Sequence, residues 1–181
     1  TKFPFYIASD RPGNYLEATV GEGGYANYET DASTVGLWHL DEQTGTTNTY
    51  IKDSSSSANN ATTISNSTFV QGKIGGARSL DGTDDYISGA DATSLEPASV
   101  TVDAWVKTSS ATNKAIFDKN YAAGNGSSYL LSTGVGAAGT GCSGTTNIAH
   151  FSMIAGGASY CAEGPAINDG NWHYLSGTYD G

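Results

Sequence analysis

Basic side chains are scarce in this 181-residue chain: eight Lys+Arg stand against eighteen Asp+Glu, a formal net charge of −10. Nucleic acids and anionic membranes both demand basic patches, so the balance argues against either as a partner. No apolar run approaches the ~18 residues of a spanning helix, which argues against membrane insertion. A basic-then-apolar leader is also missing, so in a secreted protein Thr1 would be a processed or chosen start. Only two cysteines occur, Cys142 and Cys161, in Gly- and Ser-rich surroundings. Neither sits in a C-x-x-C, and no His or Cys cluster lies near, which excludes a zinc site of the usual spacing. Helical periodicity is absent, and so are G-x-S-x-G, phosphate-loop, H-E-x-x-H and EF-hand patterns.

What the chain has in abundance is Gly, Ser, Thr, Asn and Tyr, with 24 glycines and 11 tyrosines. That is the profile of an all-β protein with many turns. Its surplus of carboxylates serves either plain solubility or a hard cation such as calcium. Short alternating runs bounded by turn residues dominate. The clearest is "SVTVDAWVKT", with Val100, Val102, Ala104 and Val106 on one face and Thr101, Asp103, Trp105 and Lys107 on the other. Similar runs fall at 5–8, 15–20, 35–40, 77–80, 86–88, 114–118, 128–133, 150–154 and 172–178. About ten such strands predict a two-sheet antiparallel β-sandwich, a jelly roll. "KDSSSSANNATTISNST" and "TGVGAAGTGCSGTTN" read as loops, and no low-complexity linker divides the chain.

Five stretches in order, "GLWHLDEQTGT", "DSSSSANNAT", "GKIGGARSLDGTDDYIS", "SVTVDAWVKT" and "DGNWHYLSGTYDG", resemble the concanavalin A-like, laminin-G-like domain of secreted proteins over roughly residues 35–181. The resemblance implies a jelly roll, a binding or adhesive role towards carbohydrate or another surface ligand, an extracellular setting, and often a structural calcium. In such domains further strands follow the "GTYDG" motif. Here residues 1–33 open with "FPFYIASDRPGNYLEATVGE", which resembles the family's closing strand pair, with Gly21 where Asp is usual. Residues 34–181 then form a laminin-G-like sandwich lacking its last strands. Three arrangements stay open: a permuted order, the tail of a preceding repeat, or completion by strand exchange. An unpaired sheet edge invites a strand from another copy, so a self-assembling filament or surface-layer subunit is the alternative function.

The candidate calcium ligands are the loop residues Asp53, Asn60 and Asp81, joined by Glu22 if the front strand belongs to this domain, although Asp and Asn in such loops also make simple Asx-turns. Asp84 and Asp85 accompany Asp81 in "SLDGTDDY". Candidate ligand-contacting aromatics are Trp105, on the strand face opposite the valines, and Tyr121, Tyr129 and Tyr160, in or beside the variable loops; core packing is the competing reading for each. His39, His150 and His173 read as structural or surface histidines without ligand spacing. For Cys142 and Cys161, a disulfide and two buried thiols stay open; an extracellular setting favours the disulfide, which would stabilise by about 3 kcal/mol. Sequons occur at Asn60, Asn66 and Asn125. Some concanavalin A-like folds are glycosidases built on E-x-D-x-x-E, which is missing here. The adjacent pairs Asp41–Glu42 and Asp84–Asp85 would point to opposite faces of a strand. The expected function is a non-enzymatic binding module, with glycoside hydrolysis a distant third.

Overall fold

The computed structural model describes residues 30–119, 128–134 and 145–181. The opening segment that resembles a closing strand pair, together with Glu22, Tyr121, Asn125 and Cys142, lies outside these residues. Among those described there are eleven strands, one short 3₁₀ turn and no α-helix. The strands are β1 (Tyr50–Ile51), β2 (Ala61–Ile64), β3 (Thr68–Gln71), β4 (Gly76–Ser79), β5 (Tyr86–Gly89), β6 (Val100–Lys107), β7 (Ala115–Lys119), β8 (Ser128–Gly134), β9 (Thr146–Ala155), β10 (Ala158–Ala166) and β11 (Trp172–Tyr179). Every pairing is antiparallel. The architecture is an all-β antiparallel sandwich of the jelly-roll kind.

The larger layer is the sheet β10–β9–β8–β7, and the β6–β11 ribbon lies against it. Alternation along β6 explains the packing. Val100, Val102, Ala104 and Val106 turn inward, as their spacing predicts, and Leu175 does the same on β11. They meet Tyr129, Leu131, Phe151 and Met153 from β8 and β9, with Ile167 closing the cluster. Each fully buried apolar side chain of this size stabilises by about 1.5–3 kcal/mol. The two layers approach so closely that Gly177 has no room for a side chain: a Cβ there would run into the Phe151 ring.

A second, smaller group of strands, β1–β2–β5 and the β3–β4 hairpin, precedes this core in sequence. Arg78 on β4 organises it. Its guanidinium is buried and donates to the carbonyls of Glu42, Gly45 and Ser67 at 2.9–3.0 Å, so a strand residue fixes the loop that enters β1. Buried Lys119 at the end of β7 bonds Asp91 (2.7 Å) and Glu96 (3.0 Å), holding the turn Thr93–Leu95 against the sheet.

Two expectations are corrected. Residues 35–40 do not form a strand but a single bridge, Trp38 to Asp53. Leu40 takes a left-handed φ of 58°, which ends the extension, and Leu37 pairs instead with the Asp53–Ser54 turn. His39 therefore lies outside any strand. The polar stretch expected to be one loop contains β2. Thr63 is fully buried there because its hydroxyl donates to the Thr46 carbonyl (2.7 Å) and accepts from the Thr49 N–H (2.8 Å). With its hydrogen bonds satisfied, threonine packs as a β-branched core residue.

Candidate functional site

The face of the β6–β11 ribbon turned away from the core is the most ligand-like surface among the described residues. Register sets its layout. Trp105 stands directly opposite Tyr174, Asp103 opposite Ser176, Thr101 opposite Thr178 and Lys107 opposite Trp172. Trp105 and Tyr174 are 41% and 47% exposed, with ring centroids 5.4 Å apart and planes tilted by 51°. Large aromatics in strands ordinarily turn inward, so two side by side facing outward form an exposed apolar patch of the kind found at interaction surfaces. Polar groups flank them. The hydroxyls of Thr101 and Thr178 lie 3.1 Å apart, and Asp103 accepts a hydrogen bond from Tyr174. Desolvation by its neighbours pushes the Asp103 pKa up, against the opposing pull of the Tyr174 bond.

The β3–β4 hairpin completes this face. Its turn is held by Gly72 N–H and the Gln71 side-chain amide, both donating to the Gly75 carbonyl, with Gly75 at a φ of 65°. The turn presents Lys73, whose ammonium sits 5.5 Å from the Trp105 ring centroid, a cation–π contact.

The other sequence-predicted residues lie elsewhere. Tyr129 is a core residue at 2% exposure, stacked on Phe117 at 5.8 Å, with its hydroxyl donating to the Leu95 carbonyl; it offers no face to a ligand. Tyr160 is exposed on β10 and meets Tyr179 at 5.2 Å, at the edge of the sandwich and away from Trp105. Asp53 and Asn60 do not join Asp81. The Asp53 carboxylate is buried and accepts from Leu37 N–H, Ser55 N–H, Ser55 hydroxyl and Asn59 N–H at 2.7–2.8 Å, while Asn60 Oδ1 accepts from the Asp53 N–H. Those four donors engage the lone-pair sites of the carboxylate and tie it to its own loop. Burial alone would raise its pKa; the bonds from Leu37, Ser55 and Asn59 outweigh that and hold it below the usual range.

Asp81 groups instead with Asp84 and Asp85, their oxygens within 4.8 Å of one another. Thr83 N–H bonds Asp81, Ser65 hydroxyl bonds Asp84, and Asn66 N–H bonds Asp85, leaving lone pairs on all three. Hydrogen bonding from Thr83, with further help from Asp84, Asp85 and Lys114, keeps Asp81 ionised well into acid. Three hard carboxylate oxygens fit a hard cation such as calcium. Cys161 lies on β10 with Sγ 3.3 Å from Nε2 of buried His150. His173 bonds Asp169 at 2.8 Å. Both histidines are satisfied within the fold.

Tyr174 and Lys73 were not singled out from sequence. Alternation in "DGNWHYLSGTYDG" puts Tyr174 on one face with Ser176 and Thr178, but only the pairing register brings it beside Trp105. Nothing local in the sequence links Lys73 to β6.

This combination of an antiparallel sandwich with an exposed aromatic sheet face is that of a lectin-like binding module. The chain belongs to the concanavalin A-like lectin/glucanases superfamily, through its Laminin_G_3 family model, which matches residues 81–181. The match covers β5 to β11 and so includes the β6–β11 face. No curated protein and no solved structure matches the chain. No helix among the described residues is long and apolar enough to cross a membrane.

Proposed function

We propose that this protein is a non-enzymatic extracellular binding module whose β6–β11 face takes carbohydrate. The exposed Trp105–Tyr174 pair carries the reading. Aromatic faces give a pyranose ring an apolar surface to lie on, and the flanking Thr101, Thr178, Asp103 and Ser176 supply donors and acceptors for its hydroxyls. Among the described residues Asp103 is the one carboxylate on this face of β6 and β11, whereas glycoside hydrolysis needs two flanking the scissile bond. That arrangement supports binding without cleavage.

The test is affinity electrophoresis and calorimetry against a panel of neutral and acidic polysaccharides. Trp105→Ala and Tyr174→Ala are each expected to weaken the tightest interaction at least tenfold, about 1.4 kcal/mol, with no release of reducing ends by any variant. Both side chains lie outside the core, so the melting temperature should stay close to that of the parent. Unchanged affinity in both variants would overturn this assignment.

Calcium at Asp81, Asp84 and Asp85 belongs to the same reading. With the ion at about a hundred times its Kd, a chelator should lower the melting temperature by roughly 5–10 °C, and Asp84→Asn should abolish the response. A melting curve indifferent to chelator in the parent protein removes calcium from the account.

A further inference from the structure

The carbohydrate reading above leaves the charge on the aromatic face unexplained, and that charge runs against the rest of the molecule. The chain carries a net charge of −10 with eight basic residues. Six of these are described. Arg78 is buried on backbone carbonyls, Lys119 is buried between Asp91 and Glu96, and Lys114 bonds the Gly82 carbonyl beside the Asp81 cluster. Of the three exposed lysines that remain, Lys52, Lys73 and Lys107, two stand at Trp105. Lys73 lies over its ring, and Lys107 follows it by two residues on the same face of β6, about 7 Å along the strand. Two residues before Trp105, on the other side, the same face carries Asp103.

The strip therefore has a polarity along β6: Lys107 at one end, the aromatic pair with the Lys73 ammonium over the Trp105 ring in the middle, and Asp103 with its hydroxyl neighbours at the other end. Resting on the carbohydrate-binding reading, we infer that this face selects a glycan in which isolated uronate rings occur among neutral ones. A ring stacked on Trp105 sets its carboxylate towards Lys73 and Lys107. The adjoining ring meets Asp103, Ser176, Thr101 and Thr178, which accept and donate hydrogen bonds to neutral hydroxyls, while the Asp103 carboxylate repels an anion. A neutral glycan leaves both lysines unused. A chain with a charge on every ring, or densely sulfated, sets an anion against Asp103. Lys73 also has a cost to its present position. Its contact with Trp105 covers the stacking surface, and a carboxylate offers it a stronger partner once the ring is occupied.

The experiment uses the full chain and four soluble probes: glucuronoxylan, neutral arabinoxylan on the same xylose backbone, polygalacturonate and heparin. Affinities are measured by calorimetry at low and moderate salt. Glucuronoxylan is expected to bind most tightly, at least tenfold above arabinoxylan. The double variant Lys73→Ala/Lys107→Ala should erase that preference and its salt dependence, with a parental melting curve. Asp103→Asn should narrow the gap between glucuronoxylan and heparin. Equal binding of the two xylans, or a double variant that binds glucuronoxylan like the parent, overturns the charge selection; if Trp105→Ala still loses binding, the carbohydrate face itself stands. Tightest binding to heparin or polygalacturonate likewise overturns it in favour of a densely anionic ligand. Binding of no glycan by the parent overturns both readings.

Discussion

Asp53→Ala is expected to cost roughly 3 kcal/mol or more, because a buried N–H and a buried hydroxyl of Ser55 and the part-buried N–H groups of Leu37 and Asn59 lose their acceptor at about 1–3 kcal/mol for each group left unsatisfied. Asp53 joins the Leu37–Trp38 segment to the Ser55–Asn59 turn, so its loss frees both. Trp38 would follow, since its indole N–H donates to the Asn59 carbonyl at 2.9 Å and its ring meets Phe117 at 5.7 Å. Asp53→Asn keeps one acceptor oxygen and should fall between the parent and Asp53→Ala. The sign of the pH dependence is fixed by the depressed pKa. The native state binds the Asp53 proton less tightly than the unfolded chain does. Its contribution is therefore complete above the unfolded value of about 3.9 and is lost as pH falls through the folded value. Urea denaturation of the parent and Asp53→Ala from pH 7 downwards should show a constant gap near neutrality that narrows in acid. A gap that does not depend on pH would refute the carboxylate's role.

Tyr129→Ala is expected to be of comparable size, at roughly 3–5 kcal/mol for removing a buried aromatic from a packed core. The ring stacks on Phe117, and its hydroxyl is the tie between β8 and the turn Thr93–Leu95. Tyr129→Phe keeps the stacking and gives up the bond to the Leu95 carbonyl, so about 1 kcal/mol is expected. Thermal and denaturant melts separate the two. A Tyr129→Ala protein within 1 kcal/mol of the parent would refute a core position for this ring.

These two residues show how far the sequence could be read. The alternation of β6 was legible because period two is a local property, and Val100, Val102, Ala104 and Val106 do turn inward. Residues 86–88, 114–118, 128–133, 150–154 and 172–178 also fall within observed strands, their ends differing by a few residues. Strands β1, β2, β3 and β10 have no counterpart among the expected runs, and for two of them the physical cause is visible. β2 hides its burial behind Thr63, whose hydroxyl is satisfied by residues 14 and 17 positions away, and β10 is an edge strand exposed along most of its length. Neither shows the apolar alternation that a half-buried strand displays.

Candidate site residues divide in the same way. Trp105 was readable, because its neighbours at i±1 are inward-facing and place it outward. Tyr174 and Lys73 were not, since each reaches Trp105 through pairing between distant segments. Tyr129 and Asp53 looked like surface chemistry because aromatics near loops and carboxylates in polar turns often are. Burial, which the sequence does not show directly, places both inside the fold.

The β6–β11 ribbon carries a mechanical consequence. Tyr174 faces the proposed ligand, while Leu175, the next residue, is locked in the core, and Gly177 lies flush against Phe151. A pull applied to Trp105 or Tyr174 along the strands is resisted by the whole eight-pair ladder in shear rather than by one hydrogen bond at a time. A pull perpendicular to the sheet works on the contact between the layers instead. The same ribbon should therefore hold a tethered polymer firmly in one direction and yield more readily in the other.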